Sequence, residues 1–139
     1  MSTVIRNSAS KKNKYYIGKH RYLELKHFCL QYPEWKKEVA EFDGLKGREF
    51  DYIRGTDIPD PTGNAAVRIV QIKEKIKMVE NAATLSDPTI SKFLLKGVTE
   101  GYAFPYLKAV MEIPCERDMY YDRYRRFFYI LSQQKQLLE

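Results

Sequence analysis

Between residues 64 and 85, Ile69, Ile72, Ile76, Val79 and Ala83 recur at steps of 3, 4, 3 and 4. That spacing places one apolar seam along a helix. Lys73, Glu74, Lys75, Lys77 and Glu80 fill the opposite side. A long amphipathic helix is therefore expected over 64–86. The seam spans at most three heptads, so two closures are open: a neighbouring helix of the same chain, or the matching seam of a second copy.

The flanking segments repeat the helical period. Tyr22, Leu25, Cys29 and Tyr32 form an apolar face on a helix starting near Lys19. Pro33 suits the first turn of a second helix, where its missing N–H is not needed, and Trp35, Val39 and Phe42 line one side of it. Beyond the seam, Ser86-Asp87-Pro88 reads as a restart, with Asp87 as cap and Pro88 in the first turn. Ile90, Phe93, Leu94 and Val98 supply the next face, and Gly101 stops it. A short helix is expected over 104–111, with Leu107, Val110 and Met111 inward. A last helix runs from about Glu116 to Gln136. No strand alternation competes, so the fold class is all-α.

Between these helices, residues 43–64 carry four glycines and two prolines and read as a connector. Residues 1–18 read as a basic flexible arm containing Lys11, Lys12 and Lys14. The first thirty residues hold seven Lys/Arg against one acid, although the whole chain carries only +6. Such an arm either contacts phosphates or keeps the chain soluble. The expected organisation is an arm (1–18), a helical pair with connector (19–63), the long helix (64–86) and a C-terminal unit (87–139).

The segment Ile113–Phe128 concentrates chemistry: four arginines, five aromatics, and the acids Glu116, Asp118 and Asp122. On a helix, Tyr120, Tyr124, Phe127 and Leu131 share the core side. Arg117, Tyr121, Arg125 and Tyr129 then fall on other faces, and Arg123 lies at the edge of the core side, where it can snorkel. A short helix, a break and a longer helix with outward arginines is the helix-turn-helix arrangement, with residues 88–100 as the third helix that buries the pair. Arg117 and Tyr121 are then the expected base readers and Arg125 and Arg126 the expected phosphate ligands, joined by Lys11, Lys12 and Lys14. Asp122 has the spacing to fix Arg125 or Arg126. The competing reading is a plain helical bundle with a mixed-charge surface.

Residues 60–80, "DPTGNAAVRIVQIKEKIKMVE", and 94–131, "LLKGVTEGYAFPYLKAVMEIPCERDMYYDRYRRFFYIL", resemble the RinA/ArpU group of bacteriophage transcriptional regulators. The second block is also similar to the helix-turn-helix of sigma-factor region 4. Glu100–Gly101 match its lead-in; Leu107, Val110, Met111 and Ile113 match its apolar framework; Arg123, Arg125, Arg126, Phe127 and Leu131 match the end of its recognition helix. Glu112 stands where that turn usually has glycine. The resemblance implies a sequence-specific binder of double-stranded DNA that controls phage late genes in the host bacterial cytoplasm. Host RNA polymerase and a second copy of the chain are further candidate partners. The alternative is a small DNA-packaging (terminase) subunit that oligomerises on phage DNA.

Other chemistries lack their constellations. There is no HExxH, P-loop or GxSxG pattern, so no enzyme, cofactor or metal is expected. His20 and His27 make a poor metal site by themselves. Cys29 reads as a core filler. Cys115 reads as a thiol near a helix N-terminus, where a thiolate is favoured. No apolar run approaches a membrane span, and the first residues lack the apolar stretch of a signal peptide.

Overall fold

The computed structural model describes residues 12–52 and 63–138, with side chains over 12–45 and 63–137. These residues form six α-helices: α1 (Lys19–Leu30), α2 (Tyr32–Tyr52), α3 (Gly63–Ser86), α4 (Ser91–Glu100), α5 (Phe104–Ala109) and α6 (Arg117–Leu138). Among the described residues there is no strand, and the all-α class holds.

The seam of α3 is filled from within the chain. Ile69, Ile72, Ile76, Val79, Ala82 and Ala83 are all buried, with α6 as the main neighbour and α2 and α4 alongside. Ala82 and Ala83 have no bulk beyond Cβ, so the end of α3 can lie close to its neighbours. The seam is thus closed by the chain's own helices, the first of the two alternatives.

α6 carries the largest share of the core. Tyr120, Phe127, Phe128 and Leu131 are at most 1 % exposed. Edge-on ring contacts join Tyr124 to Phe128 (centroids 4.9 Å apart) and Phe128 to Tyr22 of α1 (5.1 Å). The Tyr22 and Tyr124 hydroxyls share a buried hydrogen bond of 2.8 Å. Phe127 and Leu131 sit in the interior, as their register implies.

Several sequence expectations are corrected. The breaker-rich stretch does not end α2 at Asp43; the helix continues through Gly44 to Tyr52. Each helical glycine costs about 1 kcal/mol relative to alanine. Packing on α3 offsets that cost: Trp35 is buried, Arg68 grips Glu38 with two hydrogen bonds of 2.9 and 3.1 Å, and Lys73 lies 3.9 Å from Asp43. The proposed connector beyond Tyr52 lies outside the described residues up to Gly63. At the other end, Lys12–Gly18 is no free arm. Ile17 is buried and Tyr15 packs on Tyr129 of α6, with ring centroids 5.7 Å apart. Residues 1–11, including Lys11, lie outside the described residues.

Asp87 works in the turn before α4 rather than as the cap of its first turn. Its Oδ1 accepts the Thr89 N–H at 2.9 Å, and α4 begins only at Ser91. Gly101 ends α4 in the left-handed region (φ 76) and donates its N–H to the Gly97 carbonyl. α5 stops at Ala109, so Val110 faces outward at 60 % exposure while Leu107 is fully buried. Seven residues, 110–116, separate α5 from α6, more than the three or four of a tight helix-turn-helix turn. Ile113 and Cys115 anchor that turn in the core. Glu112 adopts φ 58, a left-handed conformation that favours glycine.

Gly97 is where α4 meets α6 most closely. A Cβ built there would lie 2.2 Å from the Tyr120 hydroxyl oxygen. That hydroxyl is buried and has no hydrogen-bond partner. Gly97→Ala is expected to destabilise the fold by about 1–3 kcal/mol through overpacking, despite alanine's better helix propensity. Tyr120→Phe removes the obstructing oxygen and an unsatisfied polar group together, so it should be neutral or stabilising. The double variant should recover most of the loss. Urea midpoints of the four proteins check this; additive effects would mean that the two positions do not oppose each other.

Candidate nucleic-acid interface

The first turn of α6 stands proud of the bundle. Arg117, Asp118 and Met119 are exposed, whereas Tyr120 and Tyr121 are buried. Asp118 occupies the helix N-terminus, where a carboxylate is stabilised by the unpaired backbone N–H groups. Arg117 lies over the ring of Tyr121, with its guanidinium carbon 5.0 Å from the centroid. Such stacking contributes about 0.5–1 kcal/mol at an exposed site. It biases the arginine's orientation while the side chain stays exposed.

Tyr121 is therefore not an outward base reader. It is 7 % exposed and packs against Tyr120, Phe104 and Tyr124, with centroids 5.1, 6.3 and 6.1 Å away. The single-stripe argument fails here because α6 has neighbours on several sides, α3, α1 and α4, so two adjacent positions are buried together. Phe127 and Phe128 show the same doubling.

The other basic residues differ in how neighbouring acids hold them. Arg123 is engaged: its Nε donates to Asp87 Oδ2 at 3.0 Å, its Nη1 donates to Asp122, and its carbonyl accepts from the Ser86 hydroxyl at 2.6 Å. It ties α6 to the α3–α4 turn instead of snorkelling. Asp122 is thereby committed to Arg123, not to Arg125 or Arg126 as its spacing suggested. Arg125 and Arg126 are half-buried, and the Arg125 Nε has no hydrogen-bond partner. Arg117, Tyr121, Arg125 and Tyr129 follow one another at steps of four on one edge of α6. Tyr15 and Lys14 meet that edge at Tyr129, with Lys14 Nζ 5.1 Å from the Tyr15 ring centroid. Lys12 is exposed nearby in sequence.

Arg21 is a contributor that periodicity does not reveal. Its guanidinium donates to the Ser132 hydroxyl and carbonyl, both at 3.0 Å, and to Glu24 at 2.7 Å. It thus fixes α1 to the same helix, 111 residues away. No local signal could have shown it.

The cysteines and histidines do not extend the site. Cys115 is buried, and burial pushes its thiol up, with Lys108 opposing; the thiolate expectation is corrected. Cys29 fills the core, and burial raises it further. His20 and His27 are both exposed on α1. Among the described residues, no group of three or more His, Cys, Asp or Glu is placed to hold a metal ion. No helix among them is long and apolar enough to cross a membrane.

Comparisons with protein-family models, curated proteins and solved structures found no match.

The Asp87–Arg123 pair gives this region a pH signature. Burial alone would raise the Asp87 carboxyl, but the Arg123 guanidinium and the backbone amides of Thr89 and Ile90 outweigh it, and its pKa is lowered. The folded carboxyl thus holds its proton less tightly than the unfolded one. The pair stabilises the fold above the unfolded value of about 3.9 and is lost as pH falls through the folded value. Asp87→Asn should cost about 1–3 kcal/mol at neutral pH. The gap to the parent should close in acid. Denaturant melts at neutral pH and below the lowered folded value check this; an equal gap at both would show that Asp87 acts through shape alone.

Proposed function

We propose that the chain is a sequence-specific DNA-binding regulator of bacteriophage late genes, with α6 as its reading helix. The carrying observation is the exposed first turn of α6, where Arg117 is stacked on a buried tyrosine. Recognition helices meet base edges mainly through their N-terminal residues, and that turn of α6 is exposed. A pre-oriented guanidinium suits bidentate contact with guanine O6 and N7. Arg125 and Arg126 lie further along α6 and Lys14 beside it; these and Lys12 serve as phosphate ligands, with Lys11 as an added candidate outside the described residues. Tyr121 passes from reader to support. Glu112 in a left-handed turn supports the likeness to a helix-turn-helix, while the seven-residue turn means that α5 and α6 dock at a spacing of their own.

A second reading is the small DNA-packaging subunit. It draws on Val67 and Val70, both 56 % exposed on α3, which offer apolar surface to an assembling copy. Solution mass separates the two: a monomer or dimer fits the regulator, a large ring fits packaging.

Selection from a random duplex pool, followed by isotherms on selected and scrambled duplexes at two salt concentrations, tests the DNA reading. Arg117→Ala should remove about 1–3 kcal/mol of discrimination, whereas Arg126→Ala should weaken both duplexes alike and lower the salt slope by about one. Tyr121→Phe should leave both unchanged, because the stacked ring is retained. If no duplex is enriched, or none of the arginines matters, α6 is a strut of the bundle and the DNA reading falls.

A further inference from the structure

A cleft of about 110 Å³ opens between α1, α4, the α4–α5 link and α6. Its floor is made of buried residues, among them Tyr22, Tyr121, Tyr124 and Gly97; Lys26 and Ala103 stand at its mouth. No carboxylate lines it. Tyr22 and Tyr124 share one hydrogen bond between their two hydroxyls, so one hydroxyl hydrogen of the pair has no acceptor among the described residues. Tyr121 adds a buried hydroxyl with no partner. Burial keeps the Tyr22 and Tyr124 phenols protonated, raising both above their ordinary value, so the pair retains its donors.

An ammonium at the rim, a spare phenol hydrogen within and walls of ring carbon describe one ligand chemistry. We propose that this cleft binds a small organic monoanion: one carboxylate on a compact apolar or aromatic body. The carboxylate accepts from Lys26 and from the spare phenol hydrogen, and its apolar body packs against the tyrosine rings. The size is suitable. An enclosed cavity of about 150 Å³ takes up benzene; this smaller cleft is open, so the charged end can remain at the rim. An isolated inorganic anion would leave the ring-lined part unfilled, and a neutral ring would leave Lys26 unused. The site is separate from the Arg117 edge, although the two share Tyr121.

Titration of the full chain with sodium benzoate at constant ionic strength, followed by amide chemical shifts without DNA, tests this. Saturable shifts are expected at Gly97 and Gly101, with a dissociation constant on the order of 1 mM for so small a ligand. Benzamide, the neutral isostere, should bind at least about tenfold more weakly, the factor appropriate to one charge-assisted hydrogen bond. Lys26→Met should weaken benzoate by about the same factor while leaving the melting temperature unchanged. Ala103→Trp should block the mouth and abolish the shifts. Four results each overturn the proposal: no saturation by about 10 mM, equal affinity for benzamide, an unaffected Lys26→Met, or shifts confined to the basic edge of α6. Because no DNA is present, the outcome is independent of the regulator reading.

Discussion

The aromatic side of α6 is packed on by α3, by α1 and by α4. A helix that meets one neighbour buries a narrow stripe; one that meets several buries adjacent positions, and α6 does so at Tyr120–Tyr121 and again at Phe127–Phe128. Removing a buried phenylalanine to alanine costs about 3–5 kcal/mol, and a whole domain is stable by only about 5–15 kcal/mol. α1, α3 and α4 lean on this surface, and α5 meets it where Phe104 packs on Tyr120. α5 is only six residues long and too short to persist alone, and α1 is held through Tyr22 and Arg21 to side chains of α6.

What the sequence made legible were features with a short range. The 3-4-3-4 seam of α3, the apolar face of α4, the stop at Gly101 and the inward register of Phe127 and Leu131 each depend on residues within a few turns. The errors lie where distant partners decide. α2 runs past Asp43 alongside α3, to which Glu38 and Asp43 are paired. Val110 turns outward because α5 ends early and Ile113 takes the inward position. Arg123 is bound to Asp87, 36 residues away. For the site, the exposure of Arg117 was legible and the burial of Tyr121 was not, because a period of 3.6 residues says where a side chain points relative to one face, not how many faces are covered.

The near-cancellation of charge around α6 also takes on a different meaning in three dimensions. Asp122 and Asp87 neutralise Arg123, Glu24 pairs with Arg21, and Asp118 sits on a helix N-terminus. These acids do structural work at short range. The cations along the Arg117 edge of α6 are left to shape the local potential. A net charge summed over a segment hides that division, since screening erases exposed charges beyond about 10 Å while contact pairs persist.

The bond from Arg21 to Ser132 and that from Tyr22 to Tyr124 join residues 111 and 102 positions apart. Contacts of that separation require a large loop to close before they yield any stabilisation. During synthesis, α1, α3 and α4 emerge before the helix that covers part of their apolar faces, α6. Completion of the core must therefore wait until α6 is translated. Until then the nascent chain presents Tyr22 and Phe104, whose ring partners lie on α6, to its surroundings, the condition under which partly made proteins depend on chaperones.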